Sequence, residues 1–272
     1  MKDTRSQSES LFDLQSVSYS YRGQKAIDSV SLKVHKGDRI AILGANGSGK
    51  STLLRLLVGL VFPTNGSINA FGKPLTETTL YPDGFWFRSR VGFVFQDPDI
   101  QLFLPTVGDE VRFAPRQLGL SFDEIETRVT YAYDLLNIAH LDSRPPHLLS
   151  GGEKKKVAIA TVLTQKPDVW IFDEPTASLD PRSACAVVDF IIGISERGGT
   201  VITATHDLQF LADIASKVLV LSEDHKAVGF DTPEKTMGNS NFLEKHNLLH
   251  IHKHSHGTVN HVHKHTHSTH HA

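Results

Sequence analysis

Polar and apolar positions divide the chain into a strand-rich beginning, a mixed middle and a polar end. Leu14–Tyr21 and Ala26–Val34 read as short strands, and residues 1–10 as a polar leader without structure. The apolar run Arg39–Leu43 reads as a buried strand that stops at glycine. Ser51–Leu60 follows with helical spacing of Leu53, Leu54, Leu56, Leu57 and Leu60. Strand, glycine loop and helix in that order open a nucleotide-binding α/β unit. Residues 63–90, rich in Pro, Gly and Thr, predict hairpins and loops, and Val91–Gln96 a further strand. Helical patterns fill 106–144, with Ser121 and Glu124 as a capping box before a helix running to Asn137. Val169–Phe172 and Thr200–Thr205 are apolar runs of the parallel-sheet type, and Val218–Leu221 starts a last strand pair. No internal repeat is visible. From His246 the composition collapses into His, Lys, Thr, Ser and Asn, which cannot build a packed core.

Composition narrows the function. The 272 residues suffice for one large domain or two small ones. Lys and Arg number 28 against 30 Asp and Glu, so the chain lacks the basic excess of a nucleic-acid binder. A single cysteine, Cys185, excludes a disulfide framework or a thiolate metal cluster within one chain. No apolar run reaches the roughly 18–20 residues of a membrane span. The polar start has no signal-peptide core, and the expectation is an intracellular chain, soluble by itself.

Gly44-Ala45-Asn46-Gly47-Ser48-Gly49-Lys50-Ser51 fits a phosphate loop in full, after an apolar strand and at a helix start. Its glycines let backbone N–H groups turn inward on phosphate oxygens, and the helix N-terminus adds partial positive charge. Gly44, Asn46, Gly47, Ser48, Gly49, Lys50, Ser51 and Thr52 are the candidate nucleotide contacts. Lys50 is placed for the β- and γ-phosphates and Ser51 for Mg²⁺. The strand Val169–Phe172 delivers Asp173 and Glu174 at the carboxyl edge of a sheet, where such folds bind ligands. Asp173 is a candidate Mg²⁺ ligand, and Glu174 a candidate to orient or deprotonate the attacking water.

Leu149-Ser150-Gly151-Gly152-Glu153 then opens a helical stretch, Lys154–Leu163, and offers a second anion-binding helix start. One nucleotide does not need two such elements from one chain. Together with the phosphate loop and Asp173-Glu174, this segment resembles the signature of the ATP-binding cassette family, with Glu153 where glutamine is commoner. Further positions resemble the family's motifs in order. Tyr21, 23 residues before Gly44, corresponds to the aromatic residue that stacks on adenine. Gln96 resembles the glutamine that senses Mg²⁺ and the transmembrane partner, and Ser178-Leu179-Asp180 the loop after the acidic pair. His206 resembles the switch histidine at the γ-phosphate.

The resemblance covers about 12–245. It implies an α/β phosphate-loop NTPase with a RecA-like core sheet, an antiparallel β subdomain and a helical signature subdomain. The ATPase domain would span 11–245, with the helical part at about 97–165 and a C-terminal extension at about 205–245. A disordered His-rich tail, 246–272, would follow. The resemblance also implies ATP and Mg²⁺, the latter on Ser51, Gln96 and Asp173, with Glu174, His206, Lys50 and Gln96 in catalysis. Two cassettes, identical or paired with a second kind, would sandwich two ATP molecules. Ser150, Gly151 and Gly152 would act in trans. The pair would sit on the cytoplasmic face of a membrane, against integral-membrane subunits.

A finer resemblance lies in Gln96-Asp97-Pro98-Asp99-Ile100-Gln101-Leu102-Phe103-Leu104-Pro105-Thr106-Val107 with Asp109-Glu110-Val111. It is similar to cassettes of energy-coupling-factor importers, including cobalt and nickel systems. There the segment after the glutamine helps shape a groove for a coupling helix; the competing reading of Phe103, Leu104 and Phe113 is ordinary core. Gly229 to Leu248 resembles the C-terminal extension of those cassettes, with Thr232-Pro233-Glu234 in a strand-to-helix turn. Eleven histidines fall between 246 and 271. His250, His252, His254 and His256 alternate with other residues, as do His261, His263, His265 and His267. In an extended chain such residues share a face and could chelate Ni²⁺ or Co²⁺, though imidazole suits Zn²⁺ and Cu²⁺ as well. A cloning tag, an inert tail and a metal buffer compete with a role in cargo handling. The expected function is therefore ATP-driven uptake of Ni²⁺ or Co²⁺. A vitamin-type importer and a nickel-metallochaperone NTPase stand as alternatives; the latter predicts an Asn-Lys-x-Asp motif that is not found.

Overall fold

The computed structural model describes residues 9–81, 84–256 and 259–265, with side chains up to residue 249. In chain order the elements begin with β1 (Ser10–Tyr21), β2 (Gln24–His35), β3 (Arg39–Gly44) and α1 (Lys50–Leu57). Then come β4 (Asn65–Ala70), β5 (Lys73–Pro74), α2 (Glu77–Leu80), α3 (Phe85–Arg88) and β6 (Val91–Val94). Helices α4 (Pro98–Gln101), α5 (Val107–Gln117), α6 (Phe122–Leu136) and α7 (Gly151–Gln165) lead to β7 (Val169–Asp173). The chain continues through α8 (Pro181–Glu196), β8 (Thr200–Thr205), α9 (Leu211–Ile214), β9 (Lys217–Leu221) and β10 (Ala227–Asp231). It ends in α10 (Pro233–Gly238), α11 (Ser240–Lys245), β11 (His250–His256) and β12 (Val259–His265).

Contacts group the chain into two compact units, one joining the residues up to 82 with those from 204, the other spanning 83–203. In the first, β2, β1, β4 and β5 lie side by side in that order as an antiparallel sheet. On β2 the alternate residues Val30, Leu32 and Val34 are buried, as the period-two pattern demands; on β1 Leu14 and Val17 are both buried because an irregularity at Ser16, φ 47°, resets the alternation between them. β3 pairs with β9 in parallel, Ile40 opposite Lys217 and Gly44 opposite Leu221, and β10 folds back antiparallel on β9. β3 is buried on both faces, Ile40 through Leu43, as a strand in a covered parallel sheet must be.

In the second unit β6 pairs in parallel with β7, Val91 opposite Val169 and Val94 opposite Phe172. α7 packs against α4, α5, α6 and β6, burying Val157, Ala158, Ile159, Ala160 and Leu163. Arg112 on α5 ties this region together, binding Glu126 on α6 at 2.7 Å and Asp142 at 2.7 Å. Cys185 is exposed on α8. The α/β class expected from the sequence is the one observed.

Several expectations shift. α1 stops at Leu57, and Leu60 is exposed rather than helical core. Residues 63–90 hold the short helices α2 and α3 besides strands; Thr76 and Thr79 form a capping box that starts the former. At Ser121 only half of the expected box exists. The serine Oγ accepts from Glu124 N at 3.3 Å, but the Glu124 carboxylate takes Arg128 instead, at 2.6 Å. The turn at Thr232-Pro233-Glu234 forms as read, with Thr232 capping α10. The folded body does not end at 245, because Leu248 and Leu249 are buried. Beyond them the backbone of the His-rich segment pairs His250 with His265, His252 with His263 and His254 with His261. Strict alternation has the period of a strand, which low complexity does not abolish. His267 lies outside the described residues.

Candidate functional site

In the first unit the phosphate loop joins β3 to α1. Gly47 and Gly49 take left-handed φ of 83° and 106°. A Cβ on Gly49 would drive into the Ala26 carbonyl and meet Ile27 at 3.0 Å, so only glycine fits there. Around Gly47 nothing lies within 4 Å of where a Cβ would stand. α1 has no side-chain cap and no acidic residue in its first turn. A helix start of this kind, behind a glycine cap, suits an anion. Ser48 is fully buried, yet its Oγ has no hydrogen-bond partner among the described residues. Lys50 is buried and its Nζ donates to the carbonyls of Gly44 (2.8 Å) and Ala45 (3.3 Å), curling over the loop. Thr52 is buried behind it.

Two more groups frame this loop. Tyr21, at the end of β1, is 38% exposed and accepts a hydrogen bond from Arg55 of α1 at 3.3 Å. Its ring meets Tyr19 edge-on at 4.8 Å, leaving an aromatic face beside the loop's own helix. His225, in the β9–β10 turn, has a left-handed φ of 63° and brings Nδ1 to 3.3 Å from the Ser48 carbonyl. The partners are 177 residues apart, beyond the reach of any local sequence pattern. His206 is the first residue after β8, half-buried, in the same unit.

The second unit carries the remaining candidates. Asp173 ends β7 and Glu174 follows; both are buried. Glu174 has φ 42°, a left-handed conformation that a non-glycine residue adopts at a cost and that clusters at functional turns. Gln96 lies two residues beyond β6, exposed, and not within the strand as expected. Its carbonyl is held by Lys155 at 2.7 Å. Burial pushes the Lys155 ammonium down to about 8, against the pull of Asp173 and Asp97.

Ser150 caps α7 and is exposed, as is Gly151. Glu153 N donates to Ser150 Oγ at 3.3 Å, while the Glu153 carboxylate accepts from Ser150 N at 2.8 Å and from its Oγ at 2.9 Å. The capping box is thus complete, and the Ser150 hydrogen bonds hold the Glu153 carboxyl below its ordinary pKa. Gly152 packs on the start of α8, where a Cβ would stand 2.6 Å from Ser183 Oγ. Asp180 caps α8, accepting from Ser183 N at 3.0 Å. Phe103 and Phe113 are not core: they are 67% and 39% exposed and meet edge-on at 5.4 Å.

The open helix start, the orphaned Ser48 hydroxyl and the curled Lys50 suit phosphate oxygens. The Ser51 hydroxyl, Gln96 amide and Asp173 carboxylate are hard oxygen donors of the kind Mg²⁺ takes. Among the described residues no group of three His, Cys, Asp or Glu side chains could hold a further metal ion.

Comparison with known proteins agrees with this chemistry. A family model described as ABC transporter matches residues 27–177. The nickel import ATP-binding protein NikO of Rhodobacter capsulatus is 45% identical over 243 residues, 88% of this chain and 95% of that protein. The structure of cbiO1 from Clostridium perfringens, part of the ABC transporter complex cbiONQ, matches with a TM-score of 0.75 and 34% identity over 88% of this chain and 95% of the other. A dimeric ATP-binding cassette in a post-hydrolysis state, bound to ADP and Pi, matches with a TM-score of 0.73 and 25% identity over 82% and 99%. Fold, phosphate loop and relatives converge, and the chain belongs to the ABC transporter ATP-binding family as an ATP-hydrolysing cassette.

Proposed function

We propose that two copies of this cassette close on ATP and drive uptake of Ni²⁺ or Co²⁺ through integral-membrane subunits. The observation that carries the ATP part is the uncapped start of α1 behind a glycine-lined loop. There Lys50 and the loop N–H groups bind the β- and γ-phosphates, and Tyr21 stacks on the adenine. Ser51, Gln96 and Asp173 would hold Mg²⁺, which would offset phosphate charge. Glu174 orients the attacking water and accepts its proton. His206 donates to the γ-phosphate oxygens, and Ser150, Gly151 and Gly152 of the second copy stabilise charge from the opposite side. The dimeric cassette bound to ADP and Pi supports this pairing.

Two features support the metal cargo: the similarity to a nickel import protein and the histidine pairs of β11 and β12. In that backbone register His250, His252 and His254 stand opposite His265, His263 and His261. The exposed Phe103–Phe113 pair supports docking against a transmembrane subunit, at the cytoplasmic face of the membrane. Among the described residues no helix is long and apolar enough to cross a membrane.

Glu174→Gln tests the ATP reading. Turnover is expected to fall by roughly a hundredfold or more, while ATP binding persists and a closed dimer accumulates on size exclusion. Hydrolysis at the wild-type rate removes Glu174 from its role. Truncation after Leu249, which spares the buried Leu248 and Leu249, tests the cargo reading. Basal ATPase is expected to hold while bound Ni²⁺ or Co²⁺ in equilibrium dialysis drops; unchanged metal binding defeats the tail's role.

A further inference from the structure

Lys155 is 1% exposed in the second turn of α7, five positions after Ser150. Its ammonium donates to two main-chain carbonyls, Phe95 at 3.0 Å and Gln96 at 2.7 Å. Burying a charge is costly unless it is well bonded. An apolar residue at this place would avoid that cost, so the charge calls for a reason beyond packing.

The surroundings supply one. Lys154, the preceding residue, pairs with Asp99 at 2.7 Å. Gln101 of α4 brackets the same stretch: its Oε1 accepts from Phe95 N at 3.1 Å, and its Nε2 donates to Ala158 O at 2.8 Å and Thr161 Oγ1 at 2.9 Å. The segment from Phe95 to Gln101 is therefore laced to two turns of α7 by side chains alone. Among these links, Lys155 is the one that holds the main chain of Gln96 itself, and charge-assisted bonds to carbonyls are the stronger kind.

We propose that Lys155 is a positioning residue for ATP hydrolysis: its buried ammonium fixes the Gln96 backbone to the helix headed by Ser150, so that glutamine and helix start move as one body. The proposal rests on the reading of Gln96 as a participant in hydrolysis. A displacement of α7 when its exposed tip meets a phosphate then shifts Gln96 with it, and a displacement of the segment after Gln96 is passed back to Ser150.

The test is steady-state ATPase kinetics of the full chain with Lys155→Met, Lys155→Gln and Lys155→Arg, each alone and with Gln96→Ala. Lys155→Met keeps the apolar stem and loses the donors. Its kcat is expected to fall about tenfold with KM for ATP changed less than about twofold. Lys155→Gln and Lys155→Arg keep donors and are expected to recover much of that loss. In the Gln96→Ala background Lys155→Met is expected to add little, because the two act through one group. An equal further loss in that background overturns the proposal, as does a KM effect without a kcat effect. Should Lys155→Met fail to fold, as its melting curve would show, Lys155→Gln and Lys155→Arg carry the same cycle. A Gln96→Ala variant with wild-type turnover strikes instead at the glutamine's role, and is told apart by leaving the single Gln96 variant itself unaffected.

Discussion

Helices α1 and α7 both start at a glycine-rich turn, and their first turns are finished in opposite ways. α1 has glycine at its cap, no acidic residue in its first turn and no side-chain cap. α7 has serine at its cap and a glutamate that closes the box from both sides. On the proposed reading the first is the standing anion site, with no carboxylate of its own first turn to compete. The second is satisfied internally, and an anion arriving there must compete with the Glu153 carboxylate for Ser150. A cassette that holds nucleotide in one place and admits it at the other only on closure needs this asymmetry: standing affinity at one helix start, conditional affinity at the other.

The comparison breaks most severely at Gly49. Gly49→Ala puts a Cβ into the Ala26 carbonyl at a φ of 106°. A cost of about 1–3 kcal/mol from backbone strain alone is expected, with the clash adding to it. Nucleotide binding should be lost and the melting temperature lowered; a variant that binds ATP normally would show that the loop is not held in this shape. The comparison sharpens at Glu153. Glu153→Gln keeps the reciprocal bonds and removes the charge, so ATP-driven dimer closure should tighten by a few-fold, with a stability change below about 1 kcal/mol. An unchanged closure constant would mean that the carboxylate does not oppose the phosphate.

The smallest effect is acid sensitivity. The Ser150 hydrogen bonds hold the Glu153 carboxyl below the ordinary glutamate value. Its contribution is therefore present above that value and fades as pH falls through the lower folded value. Between about pH 5 and 3 the wild type should lose slightly more melting temperature than Glu153→Gln; parallel curves would remove the box from the stability of α7.

The chemistry carried by contiguous residues was legible in the sequence. The phosphate loop reads as eight successive residues, and Asp173-Glu174 follows a run too apolar to be anything but a buried strand. What escaped is side-chain bonding across long separations. Lys155 reads as one of three consecutive lysines on a helix, and nothing in Lys154-Lys155-Lys156 says that the middle one turns inward onto Gln96. Gln101 and His225 were silent for the same reason. Two local rules also compete within one helix: at Ser121 the expected box is half made because Arg128, one turn further along α6, takes the Glu124 carboxylate. At the C-terminus Leu248 and Leu249 border a polar tail in sequence, and only their burial joins them to the folded body.

The lone Cys185 on α8 has a practical corollary. It is exposed and is the only thiol in 272 residues, so a nitroxide or fluorophore can be attached at one site without removing any other. In a pair of identical copies, one label per copy yields a single inter-label distance, and a shift of that distance on adding nucleotide would read the closing motion directly by pulsed magnetic resonance.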